Sequence, residues 1–378
     1  MKDQETILVI SPSLGIGGRE RIAINTVHCF ESLGYRTILV LLQHRDVEYS
    51  FSGERIDLDV PARRGFFGKI VAQIQRSRKV FRLREQYDVS VVYSLGEAAN
   101  ITNVLSGLKR RGKTIVAVHG FGEIRKSFLN RFVYSRADRV VCIAQDMRHQ
   151  LLSLYPDLKG VAVIENGYEL AERKGTRTPS SSLRLAAMGR LSRIKGFERM
   201  IESMAILRKS IPEATLTIIG DGEQRAELTA LAQRLGLEKA IQFVGFLVEP
   251  FPVLREHDTF VLTSYSEGFP NALIEAMNQG LPVVAADCRS GPREILSGEY
   301  TPDPVQGIMR EKYGVLVENS PNGFEERFAQ AVVRLWNDRE AMLYYEGIGP
   351  QRAKEFSLKR YREKLKRLLE ECDHDTTR

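Results

Sequence analysis

The stretch Thr259–Gln279, TFVLTSYSEGFPNALIEAMNQ, contains the structural unit that decides the fold of this chain. Thr259–Leu262 is a short apolar run of the kind that forms a buried strand, and a polar turn with Gly268 and Pro270 follows it. A helix then begins close to Pro270, a residue type that favours the first helical turn. A strand that leads through a turn into a helix is half of the strand–helix–strand unit from which parallel sheets are built.

Similar apolar runs alternate with amphipathic helical patterns along the whole chain, which predicts an α/β fold with parallel sheets covered on both faces. The alternation breaks at 171–182, AERKGTRTPSSS, which has no apolar periodicity and is typical of a linker. We predict two Rossmann-like doubly wound domains, at 1–170 and 183–355, and a charged amphipathic helix within 356–378. The predicted strands are Ile7–Ile10, Thr37–Leu42, Ile56–Val60, Val89–Tyr93, Thr114–His119, Arg139–Ile143, Val161–Ile164, Leu185–Met188, Thr215–Ile219, Ile241–Val244, Thr259–Leu262, Pro282–Ala285 and Val315–Val317.

The composition fits this organisation and excludes other classes of protein. With 378 residues, 43% hydrophobic and 27% charged, the chain can form two globular domains and is unlike a fibrous or disordered protein. Its four cysteines lack the spacing of a disulfide framework or a zinc site, which fits a reducing cytoplasm. No apolar stretch approaches the roughly 18 residues that span a bilayer, and Asp3 and Glu5 argue against a secretion signal. We expect a cytoplasmic protein, soluble or bound to a membrane surface.

The net charge of +7 is concentrated in two windows of the first half. Arg63–Gln86 and Gly107–Arg136 each hold eight Lys or Arg against one acidic residue. The first window predicts a cationic amphipathic helix, because its apolar residues recur at helical spacing and most of its cations fall elsewhere. Two interpretations stay open: attraction to an anionic membrane surface, or a helix packed on the sheet with a solvated basic face. A nucleic-acid partner is not predicted, because aromatic residues are not interleaved with the cations. The apolar residues of this helix are Phe66, Phe67, Ile70, Val71, Ile74 and Phe81.

Two loops can hold phosphate groups. Ser11–Arg21, SPSLGIGGRER, follows the first strand, and its Gly15, Gly17 and Gly18 let backbone N–H groups approach an anion at a helix N-terminus. Glu20 stands where a dinucleotide fingerprint needs its third glycine, which disfavours a nicotinamide-dependent oxidoreductase. A turn without a ligand is the structural alternative for this loop.

The second loop, Gly189–Phe197, GRLSRIKGF, follows the first strand of the second domain. Arg190 and Lys195 suit a diphosphate, since one offers a planar fork and the other a compact charge. Solvated surface cations are the alternative interpretation.

The segment Ser264–Gln279 carries two carboxylates, Glu267 in the loop and Glu275 on the helix. Glu267 can accept hydrogen bonds from sugar hydroxyls, and Glu275 can reach a second hydroxylated group such as ribose. Backbone N–H groups of the loop form a polar nest for an anion. The alternative is that Ser266 or Glu267 caps the helix and that Glu275 is solvated. The residues that provide these N–H groups are Gly268, Phe269 and Asn271.

Taken together, these motifs resemble the large retaining family of glycosyltransferases with the GT-B fold, family 4 of the glycosyltransferases. The resemblance spans nearly the whole sequence. It implies two domains facing each other across a cleft, an acceptor-binding first domain, a second domain that binds a nucleotide-sugar donor, and a C-terminal helix that crosses back to the first domain. The motifs that carry it are GIGGRER at Gly15–Arg21, GRLSRIKGF at Gly189–Phe197, IGDGEQRAEL at Ile219–Leu228, VGF at Val244–Phe246 and EGFPNALIEA at Glu267–Ala276.

The resemblance also implies roles for individual residues. Arg190 and Lys195 would bind the donor diphosphate, Glu267 the donor sugar and Glu275 the nucleotide ribose. His119 would be the acceptor-side histidine near the transferred sugar. Further donor-binding positions would be the three loop glycines with Gly268 and Phe269, the base-side Leu247, and the backbone amides of Asn271, Ala272 and Leu273.

The expected reaction is a transfer with retention of configuration that needs no metal or other cofactor. Asp57-Leu58-Asp59 is interpreted as structural, with both carboxylates on one face of a strand. A UDP-sugar is the favoured donor, GDP-mannose is possible, and the expected acceptor is a lipid-linked saccharide of a capsule, O-antigen or exopolysaccharide pathway at the inner membrane face. The alternatives are a GT-B-fold nucleotide-sugar epimerase and a non-catalytic nucleotide-sugar-binding protein.

Overall fold

The computed structural model describes residues 4–15, 18–44, 49–61, 65–108, 112–171 and 181–374. The chain divides into two compact units, the first formed by Met1–Tyr168 with Ser357–Arg378 and the second by Glu169–Phe356. Of the predicted linker, residues 172–180 lie outside the described residues.

The first unit is built on a seven-stranded sheet whose described strands all run parallel, in the order β3-β2-β1-β4-β5-β6-β7. The strands are β1 Thr6–Ser11, β2 Arg36–Leu41, β3 Arg55–Asp57, β4 Val89–Leu95, β5 Lys113–Val118, β6 Arg139–Cys142 and β7 Val161–Val163. The helices between them are α1 Gly18–Ser32, α2 Phe66–Gln86, α3 Glu97–Gly107, α4 Phe128–Arg136 and α5 Gln145–Leu154.

The second unit repeats this plan with the order β10-β9-β8-β11-β12-β14-β13. Its strands are β8 Arg184–Met188, β9 Thr215–Ile219, β10 Ile241–Gly245, β11 Thr259–Leu262, β12 Val283–Ala286, β13 Ile308–Glu311 and β14 Gly314–Val317. Its helices are α6 Phe197–Ser210, α7 Arg225–Arg234, α8 Phe251–Arg255, α9 Asn271–Asn278, α10 Pro292–Ser297, α11 Phe324–Trp336 and α12 Arg339–Lys354.

The predicted α/β architecture is confirmed, and the parallel strands of each sheet reverse their order once. The reversal lies between β1 and β4 in the first unit and between β8 and β11 in the second. Ligands of doubly wound folds bind beyond the carboxyl ends of the strands at such a point. One strand was not predicted: β13 pairs antiparallel with β14 at the sheet edge.

The C-terminal helix, α13 Leu358–His374, packs on α1 of the first unit. The hydroxyl oxygens of Tyr361 and Thr26 lie 2.8 Å apart in the interior. Gly167 is required beside this helix, because a Cβ at that position would lie 2.4 Å from the Cβ of Tyr361. The chain therefore returns to its first unit after completing the second.

Two local predictions are wrong. Asp57-Leu58-Asp59 does not continue as a strand, since β3 ends at Asp57 and Asp59 has a φ of 49°. Asp57 is instead paired with Arg55, whose Nε lies 2.7 Å from Oδ1. The helix-packing interpretation of α2 is wrong in its choice of face, because the predicted apolar residues from Phe66 to Ile74 are exposed, whereas Arg76 and Arg84 are buried.

The helices of the described ranges include none that is long and apolar enough to cross a bilayer. Within the same ranges, no group of three or more His, Cys, Asp or Glu side chains is placed to hold a metal ion.

Candidate functional site

The centre of the candidate site in the second unit is an ion pair between Lys195 and Glu267. The ammonium Nζ of Lys195 lies 2.7 Å from both carboxylate oxygens of Glu267. The hydroxyl of Ser264 donates to Oε1 of Glu267 at 2.5 Å. The Glu267 side chain is 7% exposed and that of Lys195 is 28% exposed. The carboxylate is therefore almost buried and fully compensated, whereas the lysine retains access to solvent.

The position of the pair follows from the topology. Lys195 ends the 3-10 turn Arg193–Lys195 after β8, and Glu267 lies in the loop after β11. These two strands are neighbours at the strand-order reversal of the second sheet. The loops also touch through their backbones, since a Cβ at Gly196 would lie 2.3 Å from the carbonyl oxygen of Thr263. Two residues 72 positions apart are thus brought into direct contact.

Arg199 of α6 fixes the backbone of the loop after β11. It is buried, and its guanidinium donates to the carbonyl oxygens of Thr263 at 2.5 Å and Ser264 at 2.7 Å. Its guanidinium carbon also lies 4.1 Å from the ring centre of Tyr265 and 3.9 Å from that of Phe324. Planar hydrogen bonding combined with stacking is specific to arginine, so this residue fixes the backbone next to Glu267.

A second segment, 288–291, fixes the same loop from the other side. The backbone N–H of Glu267 donates to the carbonyl oxygen of Arg289 at 2.7 Å, and that of Ser290 donates to the carbonyl oxygen of Glu267 at 2.9 Å. The Ser290 hydroxyl donates to the carbonyl oxygen of Gly268 at 2.7 Å. Both backbone polar groups of Glu267 are thereby paired, so the position of its backbone after β11 is fixed.

The structural alternatives for this segment are wrong. Helix α9 begins at Asn271, its N-cap is Pro270 and no side chain caps it. The Ser266 hydroxyl donates to the carbonyl oxygen of Arg289 instead. Glu275 is 6% exposed, so it is buried and not solvated.

The other donor-side positions differ in their surroundings. The backbone N–H of Leu273 donates to the carbonyl oxygen of Pro270 at 3.1 Å, so it is already engaged within the chain. Phe269 is buried, with its ring centre 5.2 Å from that of Phe356. Asn271 and Ala272, in the first turn of α9, are half-buried.

Arg190 is exposed on the loop after β8. This loop is held by the loop after β9, since the Leu191 N–H donates to the carbonyl oxygen of Asp221 at 2.9 Å. Gly222 allows the approach, because a Cβ there would lie 2.4 Å from the carbonyl oxygen of Leu191. Leu247, half-buried, follows β10.

A second polar site lies at the strand-order reversal of the first unit. Gly15 lies between β1 and α1 and Gly18 is the first residue of α1, whereas Gly17 is outside the described residues. Arg19 extends from the start of α1 to the end of β4, and its Nη1 lies 2.8 Å from where a Cβ of Gly96 would be. A larger residue at position 96 would therefore displace this guanidinium.

His119 follows β5 and faces the same region. Its backbone N–H donates to Oε1 of Glu123 at 3.3 Å. His119 Nε2, Glu123 Oε2 and Arg19 Nε are buried and have no hydrogen-bond partner among the described residues. Burial, with a smaller effect of Arg19, lowers the pKa of His119 to about 3. Burial raises the pKa of Glu123 to about 7, against the opposing effect of Arg19. The histidine is thus neutral, and the carboxyl group titrates near neutral pH.

Neither Arg19 nor Glu123 was predicted as a site residue. Both carried a usable signal: Arg19 directly follows the glycine loop, and Glu123 is the one acid in the basic window Gly107–Arg136. Burial and missing hydrogen-bond partners are what make them candidates, and neither property is visible in the sequence.

Comparison with known proteins identifies the family and the fold of the chain. Residues 16–172 match the model of Glycosyltransferase Family 4 and residues 170–342 that of Glycosyl transferases group 1. A crystal structure of Anabaena HepE with UDP-glucose superposes with a TM-score of 0.76 at 20% identity, covering 97% of this chain and 99% of that one. The outer core galactosyltransferase WaaB gives a TM-score of 0.70 at 16% identity, covering 97% and 99%. The two units therefore have the GT-B fold, and the chain belongs to the group 1 glycosyltransferases of family 4.

Three curated relatives share part of the sequence. An uncharacterized glycosyltransferase of Methanocaldococcus jannaschii is 28% identical over 64% of this chain and 65% of its own length. The amylovoran biosynthesis glycosyltransferase AmsD of Erwinia amylovora is 27% identical over 78% and 84%. The N-acetylgalactosamine-N,N'-diacetylbacillosaminyl-diphospho-undecaprenol 4-alpha-N-acetylgalactosaminyltransferase of Campylobacter jejuni is 26% identical over 66% and 65%. The alignments thus span about two thirds or more of each relative.

Proposed function

We propose that this protein is a retaining glycosyltransferase that moves a hexosyl or N-acetylhexosaminyl group from a nucleotide sugar, with UDP-sugars favoured, to a saccharide acceptor. The observation that carries the proposal is the contact of Lys195 with the almost buried Glu267 at the strand-order reversal of the second unit. This point is where doubly wound domains bind phosphorylated ligands. HepE, a structural neighbour, was crystallised with UDP-glucose, which supports the choice of donor.

Positive charge supports the departure of the nucleoside diphosphate. As the bond from the anomeric carbon to the phosphate oxygen breaks, negative charge grows on the leaving group. At an effective dielectric constant near 20, one cation about 4 Å away contributes about 4 kcal/mol in Coulomb terms. Lys195 and the exposed Arg190 supply this charge, so the proposed reaction needs no divalent metal.

The ion pair also explains how the Glu267 carboxylate can stay charged in an almost buried site before a ligand binds. Without a ligand, Lys195 and Ser264 satisfy the Glu267 oxygens and reduce the cost of burying their charge. We propose that the donor diphosphate attracts the ammonium group while sugar hydroxyls replace it on Glu267. Lys195 then binds the leaving diphosphate and Glu267 binds the sugar, on either side of the bond that breaks.

Retention follows from attack on the face that the leaving group vacates. The acceptor oxygen forms its bond to the anomeric carbon, the carbon–phosphate oxygen bond breaks, and the acceptor proton passes to the departing phosphate oxygen. His119, held neutral, and Glu123 are the proposed acceptor-side groups of the first unit.

The acceptor is proposed to be a lipid-linked saccharide in cell-surface polysaccharide synthesis, acted on in the cytoplasm at the inner membrane face. Two relatives carry names from such reactions, one acting on a diphospho-undecaprenol substrate and one in amylovoran biosynthesis. The net positive charge of Arg63–Gln86 and Gly107–Arg136 supports an anionic surface as partner.

The test is to incubate the purified chain with a panel of nucleotide sugars and to follow thermal stabilisation, donor hydrolysis and transfer. Selective stabilisation by one nucleotide sugar, turnover in EDTA and a product of unchanged anomeric configuration are expected. Binding without turnover under any condition would favour the non-catalytic alternative, and interconversion of two free nucleotide sugars would favour the epimerase.

A further inference from the structure

Helix α2 exposes an apolar stripe along its first two turns. Phe66 is 74% exposed and Phe67 is 81% exposed, with their ring centres 5.8 Å apart. The stripe continues at helical spacing through side chains that are each 40% or more exposed: Ile70, Val71 and Ile74. A monomeric soluble protein rarely leaves so many large apolar side chains together in water.

The stripe is not left over from core packing, because α2 packs through a different face. Arg76 is buried and donates through Nη2 to the carbonyl oxygen of Val60 at 2.6 Å. Arg84 is buried as well, with Nη2 2.6 Å from Oδ1 of Asn103 on α3. The inner face of α2 also buries Ala72 and Val80, so the helix packs through a mixed face while its exposed aromatic side chains lie at its N-terminal end.

A second apolar group begins α4. Phe128 is 87% exposed and Leu129 is 45% exposed. Helices α2, α3 and α4 connect successive parallel strands, so right-handed crossovers place them on one face of the sheet. Their N-termini therefore lie along one edge of the first unit, where the strands have their carboxyl ends. Hydrogen bonds of Gln73 to Thr102 and Ala98 tie α2 to the start of α3. Both apolar groups therefore project from the same edge of the first unit.

The charges around this edge select an anionic occupant. Lys69, Arg78 and Lys126 are exposed, and Arg78 lies one turn beyond Ile74 along the stripe. Glu85, the one acid of the window Arg63–Gln86, lies near the far end of α2. A second copy of this chain would bring like charges together, which is unfavourable. Anionic lipid accepts both the apolar side chains and the cations.

We infer that Phe66, Phe67 and Phe128 insert into an anionic membrane as one edge of the first unit, with Lys69 and Lys126 meeting the headgroups. The inference deepens the membrane location of the proposed function and rests on it. The earlier hypothesis required only that basic side chains of α2 attract the membrane surface. In the inference, aromatic side chains at the N-termini of α2 and α4 also enter the lipid.

The test is flotation of the full chain with vesicles of phosphatidylcholine alone and with added phosphatidylglycerol. The wild type should float with the anionic vesicles and far less with the neutral ones. Phe66→Ala with Phe67→Ala, and separately Phe128→Ala, should each weaken binding about tenfold or more. Lys69→Glu with Lys126→Glu should weaken it most at low salt.

Tyr344→Ala is the matched control, since Tyr344 is an aromatic residue of the second unit that is 50% exposed. Equal flotation of wild type, Phe66→Ala/Phe67→Ala and Phe128→Ala would overturn the inference. Dimerisation of the wild type that is lost in the Phe66→Ala/Phe67→Ala variant would also overturn it, by identifying a second copy as the occupant.

The outcome is separable from that of the proposed function. Thermal stabilisation by the donor nucleotide sugar reports on the second unit and should be the same in wild type and in the phenylalanine variants. Loss of flotation with intact donor binding supports insertion. If the wild type floats with anionic vesicles but binds no nucleotide sugar, the proposed function is refuted. Membrane insertion of Phe66, Phe67 and Phe128 would still be supported.

Discussion

Replacing Lys195 by alanine tests the ion pair that carries the proposed function. The change removes the ammonium group that lies 2.7 Å from both oxygens of Glu267 and leaves the Ser264 hydroxyl as the remaining hydrogen-bond partner of that carboxylate among the described residues. Removing one partner of a buried ion pair costs about 3–5 kcal/mol. Because Lys195 is 28% exposed, water can enter where the side chain was, and we expect a loss of about 2–3 kcal/mol in unfolding free energy.

The rate of sugar transfer should fall further than stability. A cation about 4 Å from the leaving phosphate contributes about 4 kcal/mol at an effective dielectric constant of 20, which corresponds to about a thousandfold in rate. Urea denaturation measures the first quantity, and transfer at saturating donor measures the second. Lys209→Ala is the control, because Lys209 is exposed in the last turn of α6 and should change neither.

A double-mutant cycle separates the pair from other effects of the substitution. Glu267→Gln in the Lys195→Ala background removes the uncompensated charge, so the double variant should be more stable than Lys195→Ala alone. The coupling energy should be about 2 kcal/mol. Additive effects on stability, or near-normal transfer by Lys195→Ala, would refute the reasoning.

Three further substitutions test the surroundings of the two sites. Because burial raises the pKa of Glu123 from 4.5 to about 7, the native state binds this proton more tightly, and stability should fall by about 3 kcal/mol as pH rises from 4.5 to 7. Glu123→Gln should remove that slope in urea titrations across this range, and an unchanged slope would contradict the assignment. Gly222→Ala should destabilise by about 1–3 kcal/mol and weaken donor binding, because its Cβ would meet the carbonyl oxygen of Leu191; calorimetry that shows unchanged affinity would argue against this coupling. Arg199→Lys should lower the denaturation midpoint and also reduce transfer, because lysine cannot both donate to the two carbonyl groups and stack on Tyr265. A variant with wild-type stability would show that the guanidinium of Arg199 is dispensable.

Much of the fold could be predicted because buried parallel strands have a simple sequence signature. The predicted bounds of Thr215–Ile219 and Thr259–Leu262 equal those of β9 and β11. Strand β13, IMRE, escaped prediction because an exposed antiparallel edge needs no continuous apolar run. A periodic pattern predicts a helix but does not determine which face meets the sheet, so the burial of Arg76 and Arg84 on α2 was not predicted.

The candidate site could be predicted only in part. The residue types of the loops after β8 and β11 pointed to Lys195 and Glu267, but their direct contact depends on which strands are neighbours. Glu123 gains its raised pKa from burial, which a local sequence window does not contain. The roles of the individual site residues in binding and transfer remain predictions for the experiments above.

The return of α13 to the first unit makes that unit discontinuous in the chain. Its sheet is encoded before residue 169, but the helix that covers α1 is encoded after residue 356. During synthesis, the sheet of the first unit therefore emerges before the helix that covers Thr26, and it obtains Tyr361 only after the second unit has been made. A stop codon within residues 357–374 would leave the second unit intact and deprive the first unit of part or all of α13.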